Sequence, residues 1–283
     1  MTEFKPITYE NIREVEAYFH KDNSGFCDFT PFVLLMWQKM FKTEYAKGDS
    51  VLYLRYRMNG KNYYALLCER VEDALAPLKE LEPVLNLTLV CDNGLRLLEG
   101  IEKNITAETD EGWWDYVYSH ESLATLKGKK YAGQRNHINK FEALCPDWKY
   151  ERINADNIGY VAEFFDKIYE PTGDETHDFE GEMVKEYLNN FSSLPMLGGF
   201  VTAGGKITSF AIGEILSDTL FVHVEKADRE IHGSYPIIVR EFARDNPANL
   251  VNREEDMGIE GLRTSKLSYH PERLLKKYNV EIR

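Results

Sequence analysis

The chain has 283 residues, of which 43% are hydrophobic and 29% charged, a balance that fits a folded globular protein and excludes a disordered or collagen-like one. At about 150 residues per domain this length predicts two domains, with enough buried surface to fold without disulfides or a structural metal. Acids outnumber bases 47 to 34, a net charge of −13, which argues against DNA or an anionic membrane as a bulk partner.

In chain order, a helix is predicted over 9–19, followed by an apolar stretch over 29–41. Strands over 51–57 and 62–69 flank Met58-Asn59-Gly60-Lys61, and Asn-Gly between β-rich runs is the strongest short hairpin signal. A helix over 71–82, a strand over 86–91 and an aromatic, β-branched run over 115–119 complete the first half. The second half opens with one long helix over 122–144, stopped by Pro146, because the residue before proline is pushed out of the α region. A strand over 149–153 and helices over 158–169 and 179–191 follow. Three strands over 196–203, 207–216 and 219–226 are joined by Gly204-Gly205 and Ser217-Asp218, so they form an antiparallel meander. A helix over 235–245, a strand over 249–252, a helix over 259–269 and a tail end the chain. Strands mixed with helices predict an α/β (α+β) class with mixed, largely antiparallel sheets. The expected domains are 1–125 and 126–283, with the boundary somewhere in 120–146. Cys27, Cys68, Cys91 and Cys145 lie far apart and read as small core hydrophobes in a reducing compartment. No run reaches the ~18 apolar residues of a membrane span, and the opening residues lack a signal-like apolar run, so a cytoplasmic location is expected.

The stretch 219–269 is the richest in chemistry. Alternation along its first strand puts Phe221, His223 and Glu225 on one face. That strand runs through Arg229 and His232 into Gly233-Ser234 and a helix, whose unpaired N–H groups suit a phosphate; the plainer reading is that Ser234 caps its own helix. The acids Glu254, Glu255 and Asp256 read as complements to a following helix dipole, with no metal expected because neighbours along a turn point apart. Arg263, Lys266 and His270 form one basic stripe at i, i+3 and i+7. Lys127, Lys129, Lys130, Arg135, His137 and Lys140 interrupt the acidic balance; with Tyr131 and Phe141 they suit a nucleic acid, or simply a solvated helix face.

Helix, helix, three-stranded meander, phosphate-type turn, helix, strand, helix is similar to the GNAT acyltransferase fold. The segments Lys130 to Phe141, Glu225-Lys226-Ala227-Asp228 and Asn252 to Arg263 resemble those of a family similar to the C-terminal catalytic region of phosphatidylglycerol lysyltransferase. The resemblance implies two GNAT-like domains in tandem, as in the Fem-type aminoacyltransferases. It implies an acyl- or aminoacyl-transferase using coenzyme A or acyl-CoA, or alternatively aminoacyl-tRNA, as donor, and a small-molecule or peptide amine or hydroxyl as acceptor. Glu225 or His223 is then the expected base, Tyr269 the expected acid, and the N–H groups of the splayed fourth strand the oxyanion donors. Lys226, Arg229, His232, Gly233, Ser234 and Tyr235 would hold donor phosphates, with Asn252, Arg263 and Lys266 beside them. Lys127, Lys129, Lys130, Arg135 and Lys140 would meet tRNA. The GNAT phosphate turn is reduced here to its central glycine, which motivates a second expectation: a non-catalytic ligand-binding or scaffold protein that keeps the fold.

Overall fold

The structure, a computed structural model, describes residues 3–19, 24–191 and 196–283. The chain divides into two compact units. Unit 1 holds Met1–Asp115, Glu255–Arg263 and Leu274–Arg283, and unit 2 holds Tyr116–Glu254 and Thr264–Arg273. The division thus falls at Asp115 rather than near 125, and two late segments return to the first unit.

Unit 1 begins with β1 (Lys5–Pro6), α1 (Arg13–Phe19), α2 (Pro31–Phe41), β2 (Glu44–Lys47), β3 (Val51–Met58) and β4 (Lys61–Cys68). The β3–β4 hairpin turns on Asn59 (φ 50°) and Gly60 (φ 76°), the two left-handed residues of a type I′ turn. Next come α3 (Val71–Lys79), β5 (Leu85–Val90), α4 (Asp92–Ile101) and β6 (Ile105–Thr109). Unit 2 contains β7 (Asp115–Ser119, shared at its first residue), α5 (His120–Thr125), α6 (Ala132–Leu144), β8 (Lys149–Arg152), α7 (Ile158–Ile168) and α8 (Glu175–Asn189). The meander follows as β9 (Leu197–Ala203), β10 (Lys206–Leu216) and β11 (Thr219–Ala227), then α9 (Ser234–Asp245), β12 (Leu250–Asn252), α10 (Glu260–Ser268) and β13 (Arg273–Leu275). The tail is a strand after all: β14 (Tyr278–Ile282).

The expected long helix over 122–144 is two helices. Leu126 (φ 50°) ends α5 in the left-handed region and Gly128 (φ 97°) redirects the chain. The Arg135 guanidinium then donates to the carbonyls of Leu126 and Gly128, the first of them an oxygen that the end of a helix leaves unpaired.

One seven-stranded sheet has the order β1-β2-β3-β4-β5-β14-β6 and the other β13-β7-β12-β11-β10-β9-β8. The β4/β5 and β11/β12 pairs are parallel amid antiparallel neighbours, so both sheets are mixed and largely antiparallel. The core of unit 1 gathers Tyr64, Leu75, Leu78, Leu85, Leu87, Val280 and Ile282. In unit 2, α9 turns Ile237, Ile238, Val239, Phe242 and Ala243 inward, an i, i+1, i+4, i+5 stripe of the kind a helix uses to cover a sheet. Of the cysteines only Cys27 is fully buried; the other three are half-buried, and all four are free thiols. Among the described residues no helix is long and apolar enough to cross a membrane.

Candidate functional site

The site of unit 2 is set by how β11 meets its neighbours. On one side β11 pairs with β12 through only three residues, Thr219↔Leu250, Leu220↔Val251 and Phe221↔Asn252. Beyond Phe221 the two chains part, while on the other side β11 stays paired with β10 to its end. That pairing carries a bulge: Ile212 faces Val224 and Gly213 faces Val222, so His223 is the extra residue. A bulge bends a strand and re-aims a side chain. Gly213 is needed there, since a Cβ on it would stand 2.2 Å from the Phe221 carbonyl oxygen.

Side chains, not backbone bonds, span the gap between the parted strands. Asn252 Oδ1 accepts the N–H of Glu254 at 2.7 Å, a local turn made by a short polar side chain. Glu254 takes φ 58°, and the turn leaves Arg253 pointing inward. The Arg253 side chain is 6% exposed and donates from Nη2 to Glu225 Oε2 at 2.5 Å. Its guanidinium also lies over Tyr269 and Tyr118, 4.8 and 5.7 Å from the ring centroids. Nε and Nη1 of Arg253 are buried with no hydrogen-bond partner. Two buried N–H donors left open cost about 1–3 kcal/mol each, and native structures rarely keep such groups without a use. Burial works against the charge, but Glu225 outweighs it and keeps the guanidinium protonated. Sequence reasoning passed over Arg253, whose only signal is a lone cation between a strand end and three acids.

His223 is the second charge in the gap. Its Nε2 lies 3.0 Å from Glu214 Oε1 and its Nδ1 2.8 Å from Glu254 Oε1. Burial opposes the charged ring, yet the two carboxylate bonds outweigh it and lift the imidazole from 6.5 to about 9. His223 is therefore an imidazolium at neutral pH and does not serve as the expected base. A group whose pKa rises on folding stabilises the folded state below its unfolded value, and that stability is lost as pH climbs through the folded one. Stability is expected to fall between about pH 6.5 and 9, by up to roughly 3 kcal/mol, read as a lower denaturant midpoint. In His223→Gln the fall across that window should be much shallower.

The expected phosphate cradle is closed. Gly233 has φ 87°, and a Cβ there would stand 2.5 Å from the carbonyl oxygen of His137 and 2.8 Å from Cβ of Phe141, so α6 packs directly on the turn. Ser234 is buried, and its hydroxyl donates to Ile231 O at 2.6 Å, while Pro236 has no N–H to offer. His232 Nε2 lies 2.9 Å from His137 Nδ1, and its pKa is lowered by burial and by the neighbouring Lys140 and His137. The Ser234 N–H is also taken, by Ile231 O at 3.3 Å, so this corner keeps few N–H donors for a pyrophosphate. Gly233→Ala is expected to cost roughly 2–4 kcal/mol through left-handed strain and overpacking, read as a lower thermal midpoint without any ligand present.

The remaining expected site residues are dispersed. Lys226 pairs with Glu180 at 2.7 Å, and Arg229 and Tyr235 are exposed. Lys266 is buried and donates to Arg253 O at 2.5 Å, so it supports the Arg253 turn. Arg263 is held within unit 1 by Asp256 at 2.7 Å. The basic stripe is thus not a solvated face, and only His270 of the three is exposed. The adjacent acids do not serve a helix dipole either: Glu254 takes His223, Glu255 lies 3.5 Å from Lys277, and Asp256 takes Arg263. Tyr269 is buried, which pushes its phenol well up despite Arg253, so it stays protonated. Lys127, Lys129, Lys130 and Lys140 are exposed.

The family described as "Phosphatidylglycerol lysyltransferase, C-terminal" matches residues 33–281. A conserved protein of unknown function from Bacteroides thetaiotaomicron is 33% identical over the whole of both chains, with a TM-score of 0.94. L-PGS from Bacillus licheniformis superposes with a TM-score of 0.66 at 12% identity, over 100% of this chain and 94% of that one. FemX does so with 0.62 at 10% identity, over 98% and 97%; at such identities the likeness is one of fold, here two GNAT-like domains in tandem. An uncharacterized protein of Mycoplasmoides gallisepticum is 24% identical over 59% of this chain, and the match spans only 56% of that protein's length. By the extent of the family match, the chain belongs to the phosphatidylglycerol lysyltransferase C-terminal family.

Proposed function

We propose that this protein is a GNAT-type aminoacyltransferase that takes its acyl group from an aminoacyl-tRNA ester and passes it to an amine or hydroxyl. The observation that carries the reading is Arg253, with two buried donors that lack partners, held beside a carboxylate where β11 and β12 part. Attack on an ester carbonyl moves negative charge onto its oxygen, and preorganised donors in a dry site stabilise that charge best. Arg253 Nε and Nη1 take that role. Glu225 uses only Oε2 for Arg253, so its other oxygen accepts the proton lost by the acceptor. The new bond forms to the acyl carbon, the ester C–O bond breaks, and the proton returns to the departing ribose oxygen. Tyr269, kept protonated by burial, donates a hydrogen bond there rather than acting as a base.

The choice of donor rests on the closed corner at Gly233, which favours an ester without a coenzyme A pyrophosphate. The exposed lysines at 127, 129, 130 and 140 supply a surface for tRNA, whereas Arg135 is engaged with backbone carbonyls. Purified protein is expected to retain charged total tRNA on filters, with log affinity falling against log salt at a slope of roughly −3 for four phosphate contacts. Acetyl-CoA is expected to leave the melting temperature unchanged. A thermal shift with acetyl-CoA and no retention of tRNA reverses the donor assignment; the absence of both ends the transferase reading.

A further inference from the structure

Unit 1 holds a positively charged pocket that the transferase reading does not use. Helix α2 ends at Lys42 (φ 47°), in the left-handed region, and both Lys42 and Thr43 donate their backbone N–H groups to Gln38 O. Thr43 O in turn accepts the N–H of Ile7. The backbone of Thr43 is satisfied on both sides, yet its hydroxyl, in a residue 1% exposed, is buried without a partner. A cavity of about 260 Å³ is lined by Thr43 together with Lys39, Lys42, Glu44, Arg55 and Arg57.

Strand register explains why these charges converge. Arg55 and Arg57 lie two apart on β3 and so share a face, with Glu44 opposite Arg55 and Asn62 opposite Arg57. Glu44 Oε2 is taken by Arg55, whose Nε and Nη2 donate to it at 2.8 and 2.5 Å. Among the described residues Lys42 and Arg57 have no carboxylate within ion-pair reach. The C-terminal dipole of α2 attracts a nearby lysine or two, but it accounts neither for Arg57 nor for the open hydroxyl. Among the described lining residues four cations meet one acid, in a concave wall of a protein with net charge −13, an excess that draws anions in. The volume lies below the ~300–1,000 Å³ of pockets that enclose whole ligands, so it suits one compact group with several acceptor oxygens.

We infer that this pocket binds the phosphoryl group of a small molecule, with Thr43 Oγ1 donating to it and Lys42 and Arg57 supplying charge. The inference stands apart from the transferase reading and is tested without any transfer assay. Full-length protein is titrated calorimetrically with inorganic phosphate and with glycerol 3-phosphate at constant ionic strength, with chloride as control. Binding of either probe is expected, and the tighter of the two tells a free from an esterified phosphate. Arg57→Gln should weaken it by about tenfold or more, and Lys47→Gln, outside the pocket, should leave it unchanged. Thr43→Val removes a hydroxyl that has no partner in the free protein, so it should keep or raise the melting temperature while weakening phosphate several-fold. Heat equal to the chloride control with both probes overturns the inference, as does binding that survives both Arg57→Gln and Thr43→Val undiminished.

Discussion

Lys277→Met is expected to destabilise the protein by about 3–5 kcal/mol, the usual penalty for leaving buried charge unpaired, and to lower the melting temperature by on the order of 10 °C. The Lys277 ammonium is 5% exposed and lies 2.5 Å from Asp28 Oδ2, 2.6 Å from Asp115 Oδ1 and 3.5 Å from Glu255 Oε2. Cys27 Sγ is 3.6 Å away, and burial holds its thiol well above the ordinary range, so it is neutral and unreactive. Three acids around one cation leave an excess of negative charge. Burial already pushes the Asp28 carboxyl from 3.8 to about 6, even with Lys277 opposing. A carboxyl raised on folding stabilises the protein below its unfolded pKa, and that contribution is lost as pH rises through the folded one. Without Lys277 the Asp28 carboxyl rises further, so the deficit of the variant should narrow as pH is lowered towards 5. Equal melting temperatures for variant and wild type at neutral pH would show that the ammonium contributes nothing net.

The second large effect concerns turnover. Arg253→Ala should reduce kcat/KM by about 10²–10³, the range seen when one oxyanion donor is removed. Because the donors act only on the developing charge, the loss should fall on kcat and leave KM nearly unchanged. Arg253→Lys keeps the charge but not the fork, and is expected to recover only a minor part. Arg253 also neutralises Glu225, so Glu225→Gln serves as the companion. It relieves any charge left unpaired by Arg253→Ala, and the double variant should regain stability but not rate. Full activity in Arg253→Ala would remove the oxyanion assignment.

Much of the fold was legible where local chemistry alone decides it. Asn59-Gly60 fixed a hairpin, Gly204-Gly205 and Ser217-Asp218 fixed the meander, and Gly233 marked the start of α9. The misses have two causes, weak local signal and distance along the chain. Helix α4 carries Gly94 and Gly100 within ten residues, which weakens its helical signal. β14 has the right alternation but is only five residues long, and its partners Leu85–Val90 and Ile105–Thr109 lie far upstream. The site divides the same way. Strand alternation singled out His223 and Glu225, but the bulge at His223 and the two carboxylates that charge it come from other strands and turns. Gly233 was read as room for a ligand when the room belongs to α6; a lone glycine cannot tell the two apart.

The place of β14 has a consequence for how the protein is made. The strand lies inside the first sheet, flanked by β5 and β6, yet it is synthesised after every other strand of that sheet. Domains usually fold in order of synthesis, amino end first. Here that sheet stays split, with β5 and β6 as open edges, until β14 has been made. A nascent chain stalled before Tyr278 should remain protease-sensitive over β1 to β6 and depend on chaperones that shield unpaired strands.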